Sequence, residues 1–279
     1  MLKGVFMELA PVPFNENERV KTVIKTGLID SPNSEMFQVY CDLAKDLTGF
    51  QSATFSLYDG NNQCSISSSG RDEFVSGSIS DKGVNNICAY VLLDTEPLLM
   101  PDLRKDPIWK NHPKILNGTA TTLGYAGFPV INKDNYALGT LCMKHPKPRE
   151  LSQKQIELVK KITSNMAHLL DLHIEQKELT SNKVLEIINI FKQKFPGFTI
   201  SDLEAFLSLA ANLDILEINA SNLLKYNLCE KNTNSSFVLS HFGRKLLEDM
   251  ELKPKNMKKI KIKGREADNK IEELLSEIN

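Results

Sequence analysis

The sequence predicts an α+β fold: an antiparallel sheet with helices packed on it, followed by a second, mostly helical unit. Three observations carry this prediction. Helical spacing of apolar residues over 34–48 gives way directly to two-residue alternation in the following segment. Two further strand-like runs flank Lys133-Asp134-Asn135, and a long helical pattern follows them. From about Ser181 the strands all but vanish and helices dominate. Helix, hairpin, loops, hairpin, helix is the order of an antiparallel α+β domain.

Each element has a local cause. In "SEMFQVYCDLAKDLT" the residues Met36, Phe37, Tyr40, Leu43, Ala44 and Leu47 recur at helical spacing. Ser34 is the expected N-cap and Gly49 the stop. In "SATFSLYDGNNQCSISSSG" Ala53, Phe55 and Leu57 alternate, and Asp59-Gly60 supplies a hairpin turn. "NNICAYVLLD" reads as a short helix and "EPLLMPD" as a strand ending at Pro101. "TTLGYAGFPVINKDNYALGTLCMKH" reads as two antiparallel strands. After Pro146 and Pro148, Ser152 is placed to cap a helix running to about Lys177.

The second unit opens with the amphipathic "NKVLEIINIFKQKF", closed by Pro196-Gly197. "TISDLEAFLSLAANL" and "DILEINASNLLKYN" follow as helical stretches, "LCEKNTNSSFVLS" as a hairpin and "HFGRKLLEDM" as a helix. That order matches a winged-helix unit. Beyond it lie a basic tract and a weakly amphipathic helix.

Composition excludes several classes. The chain of 279 residues is 41% hydrophobic and 25% charged, with net charge −1, so it has no global pull towards nucleic acid or membrane. No apolar run is long enough for a membrane span, and the start lacks a signal-peptide pattern. Five scattered cysteines without a CxxC pair predict reduced thiols in a cytoplasmic protein. No GxSxG, HExxH or GxxxxGK[ST] occurs, so no enzyme is predicted. Cys88, Cys142 and His145 match no standard metal spacing, and no metal or cofactor is expected.

Three stretches in order carry a family resemblance. "GLIDSPNSEMFQVYCDLAKDLTG", "ICAYVLLDTEPLLMPDLRKDPIWKNHP" and "GYAGFPVINKDNYALGTLCMKHPKPRELSQKQIELVKKI" resemble the opening helices, cysteine helix with pocket loop, and closing hairpin with helix of a GAF domain. The GAF domain is a ligand-sensing module, and the three stretches most resemble the subgroup often attached to bacterial signalling enzymes. The resemblance covers residues 16–178. It implies an antiparallel sheet of five or six strands with helices on both faces, and a cleft between the sheet and the loops of residues 78–118. The remaining divisions are 1–15 as an extension, 179–250 as a helical, winged-helix-like domain, and 251–279 as basic tract and C-terminal helix.

The resemblance also implies that Asn86, Cys88 and Tyr90 face the cleft. Asn86-Ile87 stand where a serine-phenylalanine pair often precedes the family cysteine, and Tyr90 where a histidine is common. No cysteine precedes a histidine, as it usually does in bilin-binding members, so no covalent chromophore is expected. Phe55, Asp102, Trp109 and Tyr125 complete the candidate ligand-binding set. Asp102 offers a carboxylate to a ligand, or caps the turn at Leu103. Asp106 reads as a cap. Trp109 is a flat cover for a small molecule or a packing anchor. Tyr125, between Gly124 and Ala126, reaches into the cleft or belongs to the core.

Two partner surfaces follow. Val159, Ile162, Met166 and Leu169 form a narrow seam suited to a homodimer through helix 152–177, or part of a wide stripe packing on its own sheet. In the second unit Asn219, Asn222 and Lys225 could meet nucleic acid, with Lys258, Lys259 and Lys261 on phosphates. Asp202, Glu204, Asp214 and Glu217 in the candidate recognition region oppose that reading. The expectation is a cytoplasmic sensor or regulator with a small-molecule ligand. A protein-interaction or dimerisation module and a DNA-binding regulator are the alternatives.

Overall fold

A computed structural model describes residues 9–70, 74–84, 86–233 and 235–252. The chain divides into two compact units, Met1–Glu178 and Leu179–Asn279.

The first unit is a six-stranded sheet in the order β3-β2-β1-β6-β5-β4, antiparallel at every described pairing. The strands are β1 Ser52–Tyr58, β2 Asn62–Ser69, β3 Ser78–Asp81, β4 Leu98–Met100, β5 Gly124–Ile131 and β6 Ala137–His145. The helices are α1 Glu16–Thr26, α2 Ser34–Thr48, the single turns α3 Ile87–Tyr90 and α4 Pro113–Leu116, and the first part of α5 Gln153–Lys194. Asn33, not Ser34, caps α2: its side chain accepts from Met36 N, and Ser34 is the first helical residue. Gly49 ends α2 with φ at +65°, a left-handed conformation that favours glycine. At the first hairpin Asp59 accepts from Asn62 N at 3.0 Å.

Strand alternation gives the sheet two different faces. Ala53, Phe55 and Leu57 of β1, Ala126, Phe128 and Val130 of β5, and Leu141 and Met143 of β6 pack with Phe37, Cys41 and Ala44 of α2 and Val159, Met166 and Leu170 of α5. Tyr58, Tyr125 and Cys142 belong to a separate cluster with α3 and the loop carrying Leu103 and Trp109. The proposed seam on α5 is therefore a correction. Val159 and Met166 are fully buried in their own domain and cannot belong to a seam between subunits, while Ile162 and Leu169 pack against the same core and stay partly exposed.

Helix α5 also runs on to Lys194 where a break was predicted near Ser181. No glycine or proline lies between Gln153 and Phe195 to stop it. Two polar ties fix the periphery of the sheet. Buried Arg19 of α1 donates to Tyr58 O at 2.9 Å and pairs with Glu16 at 2.6 Å. Asp171 of α5 accepts from Lys133 N at 3.0 Å in the β5–β6 turn, where Asn135 takes φ +61°.

In the second unit, the last turns of α5 are followed by α6 Ile200–Ala210, α7 Glu217–Lys225, the hairpin β7 Cys229–Lys231 with β8 Phe237–Leu239, and α8 His241–Asp249. Thr199 and Asp202 cap the N-terminus of α6 with a reciprocal capping box. Phe191, Phe195, Phe206, Leu223, Leu228 and Leu246 form its own core.

Candidate functional site

The face of the sheet turned to the loops is where sequence reasoning gathered most of its candidates. α3 is a single turn, so its position depends on side chains rather than on helix length. Asn86 caps it, accepting from Cys88 N at 3.1 Å. Its amide donates to Gln63 Oε1 at 2.7 Å, and Gln63 donates to Ser56 Oγ at 2.9 Å. This relay fastens the cysteine turn to β1 and β2.

The 101–118 loop is held at its start. Leu103 N donates to Leu123 O at 2.8 Å, and Pro101 O accepts from Arg149 N at 2.9 Å. Asp106 caps the turn that carries the tryptophan, accepting from Ile108 N at 2.9 Å and Trp109 N at 2.8 Å. Trp109 is 4% exposed. It meets Tyr90 edge-on at 5.8 Å between ring centroids, and His112 stacks on it at 6.2 Å.

Below lies a chain of polar atoms. Tyr125 Oη is 3.0 Å from Cys142 Sγ, which is 3.2 Å from Thr140 Oγ1, which is 3.4 Å from Tyr58 Oη. Cys88 is buried in the same cluster as Cys142 and Tyr125. Hydrogen bonding by Cys142 lowers the Cys88 thiol to about 6, against the opposing cost of burial. Burial, with charge on Cys88, pushes Cys142 well above the usual thiol range. Burial likewise raises Tyr58 and Tyr125. Small Gly127 leaves room for this arrangement: a Cβ there would lie 2.5 Å from Tyr125 Oη and 2.4 Å from Val91 Cγ2.

Cys88, Tyr90, Trp109 and Tyr125 thus come together, with Asn86 behind them as the cap. Phe55 does not, which corrects the sequence reading. It lies on the helix face, fully buried in that core. Two-residue alternation puts Ser56 and Tyr58 on the loop face instead, so strand parity was the signal that could have found Tyr58. Thr140 and Cys142 follow by the same parity on β6.

Asp102 spends its carboxylate on Arg104, accepting from its backbone N at 3.1 Å and from its guanidinium at 2.8 Å. It sits on an open depression of about 540 Å³ at the sheet edge, together with Met100, Lys105 and Arg149. That depression does not include Trp109, Cys88 or Tyr125. The space beneath the tryptophan loop, expected as a cleft, is filled by the protein's own side chains.

In the second unit Asn219 and Lys225 are exposed. Asn222 is not available to read bases, because it donates to Asp202 at 3.0 and 3.1 Å. Lys258, Lys259 and Lys261 lie outside the described residues. Among the described residues no group of three His, Cys, Asp or Glu side chains is placed to hold a metal, and no helix is long and apolar enough to cross a membrane.

A six-stranded antiparallel sheet, with helices on one face and a capped loop on the other, defines the α+β class of the domain. The chain belongs to the GAF domain family, whose model matches residues 32–171. GAF domains are sensory and regulatory modules for small molecules or chromophores. Among solved structures, the chain is similar to the GAF domain of an Acinetobacter phosphoenolpyruvate-protein phosphotransferase, at 15% identity over 56% of this chain and 93% of that one, with TM-score 0.42. A type II free methionine-R-sulfoxide reductase from Thermoplasma acidophilum matches at 15% identity, 52% and 94% coverage and TM-score 0.40. A bacteriophytochrome from R. palustris matches at 12% identity, 70% and 46% coverage and TM-score 0.46. No curated protein matches the chain.

Proposed function

We propose that this chain is a sensory and regulatory protein whose GAF domain takes a small molecule on the loop face of its sheet. The ligand enters where Trp109 now sits, contacting Cys88, Tyr90 and Tyr125, with Asp102 at the rim. The change passes along α5 to the second unit. The observation that carries this reading is the polar set under the tryptophan. Tyr125, Cys142, Thr140 and Tyr58 satisfy one another when the loop is down, and a ligand with donors and acceptors can replace those bonds one for one. Lifting the indole exposes apolar surface at a cost of about 3 kcal/mol, so a ligand must favour the lifted state by more than that.

Calorimetry on the full chain against a panel of small polar metabolites tests the proposal. Saturable heat, with a change in the emission of Trp109, supports it. A panel that leaves heat, melting temperature and emission unmoved overturns it.

A second reading rests on α7. Leu216 and Ile218 are 71% and 80% exposed beside Asp214 and Glu217, which suits a protein partner better than phosphate. In this reading the second unit is an interaction module, and the winged-helix, DNA-binding version is the weaker alternative. Absence of a gel shift even at low salt removes the DNA-binding version. A homodimer through α5 would have to use Leu158, Ile162, Leu169 and Leu172, which stay partly exposed. All five cysteines are free thiols, in keeping with a cytoplasmic setting.

A further inference from the structure

We propose that the exposed face of α7, with the loop that leads into it, is the docking surface for this chain's own basic tract, residues 253–265. This occupant presupposes the second reading above, in which α7 is an interaction face, and gives that face a partner of definite chemistry.

Three large aliphatic side chains, Leu213, Leu216 and Ile218, fall within six residues and are each more than half exposed. Single exposed aliphatics are ordinary; a run of three marks an interaction surface. The fold does not need them, because Ala220 and Leu223 already bury the inner face of α7 in the unit's core. Charge sets the other half of the surface. Between Lys194 and Lys225 the chain carries four acids and no lysine or arginine. Asp202 is occupied by the α6 cap and by Asn222, and Glu217 pairs with Lys231 at 2.7 Å. Glu204 and Asp214 are exposed, and no ion pair engages them among the described residues. Apolar side chains beside uncompensated negative charge call for a segment that is both apolar and basic.

Residues 253–265 have that chemistry: seven lysines and arginines with no acid, and Met257, Ile260 and Ile262 set among them. Acids closer to the tract in sequence are already engaged, Asp249 with Lys194 and Glu251 with Lys183. Reach is no obstacle. The described chain ends at Leu252, which packs against the core of the same unit. Ten further residues span up to about 33 Å when extended, and a compact domain of about 75 residues has a radius of gyration of about 11 Å. Because tract and face belong to one chain, docking is intramolecular and weak contacts suffice. Docked, the tract covers α7 and withholds its own lysines from phosphate, so a competitor for either one releases both.

Carbodiimide, which couples carboxylates directly to amines, tests the contact on the full chain. After treatment at low salt, the monomer should yield peptides linking Asp214 or Glu217 to lysines of the tract, and high salt should reduce their yield severalfold. Hydrogen exchange gives a second measure. Amides of residues 213–219 should exchange severalfold faster when the chain is stopped after Leu252, a cut that removes no described residue. A peptide of residues 253–279 added to the shortened chain should restore the protection saturably. Ile218→Ser in the full chain should mimic the cut, with exchange in the β7–β8 hairpin unchanged. Should that variant fail to fold, the links and the shortened chain decide. Links found only between two chains would make a second copy the occupant, overturning the proposal while keeping α7 an interface. Tract lysines linked only to other acids, with exchange indifferent to the cut, would overturn it and leave the face open to a different protein.

Discussion

Gly127 shows how one missing methyl group organises the loop face. It pairs with Cys142 across the β5–β6 ladder, and the Tyr125 hydroxyl lies over it. A Cβ at this position would come within 2.5 Å of that hydroxyl and 2.4 Å of Val91, so both must move. Gly127→Ala is therefore expected to destabilise the first unit by about 1–3 kcal/mol, the usual cost of overpacking. It should also alter the emission of Trp109 in the folded state. Urea titration followed by fluorescence measures both, and an unchanged midpoint would mean that Tyr125 has room to yield. Glu16 gives a pH prediction at the same scale. Burial works to raise its carboxyl, but hydrogen bonding by Arg19 and the charges of Arg19 and Lys82 outweigh it, leaving Glu16 below its ordinary range. A carboxyl depressed in the folded state stabilises fully above its unfolded pKa, and the contribution drains as pH falls through the lowered folded value. Glu16→Gln should flatten the acid limb of the stability profile below the ordinary carboxylate range and change little of its slope above it. An acid limb identical to wild type would show that Glu16 carries none of it.

The elements legible in the sequence were those with a strong local cause. The Asp59-Gly60 turn, the period-two run of β1 and the strand pair around Lys133-Asp134-Asn135 all left their mark in a few residues. β3 left none: Ser78–Asp81 is an exposed edge strand, so no apolar alternation announces it. The break predicted near Ser181 failed because a change of composition is not a helix stop; only glycine, proline or a cap would end α5. The site was legible where the chain order of cysteine turn, loop and hairpin mattered. It was half legible where the choice fell between Phe55 and Tyr58: parity separates the two residues in the sequence, but which parity faces the helices is defined only by the folded sheet. The continuity of α5 makes its own prediction. Ser181 is exposed in the helix interior, so Ser181→Pro removes a backbone hydrogen bond without disturbing either core. It should lower helicity by circular dichroism and cost about 3 kcal/mol. In the proposed sensor it should leave any metabolite binding intact while abolishing the response of the second unit. A variant with full helicity would show that the chain already bends at that point.

At the scale of the molecule, the decisive fact is that two cores share no member. Phe128 belongs to the sheet domain and Phe206 to the helical unit, and each is fully buried in its own cluster. Truncating a buried phenylalanine to alanine typically costs about 3–5 kcal/mol, because transfer free energy is lost and a cavity is left behind. If each unit holds itself together, that cost stays on the side where it was incurred. Phe206→Ala should speed amide hydrogen exchange across α6, α7 and the β7–β8 hairpin and leave β5 and β6 protected as in the wild type. Phe128→Ala should do the reverse. Exchange measured by mass spectrometry on the full chain resolves the two patterns. The outcome bears directly on regulation. A regulator needs one part that can loosen while the other keeps its fold, and separate cores supply that condition. If Phe206→Ala loosened β5 and β6 as much as α6, the two units would unfold as one body. Signalling by partial loosening would then have no place in this protein.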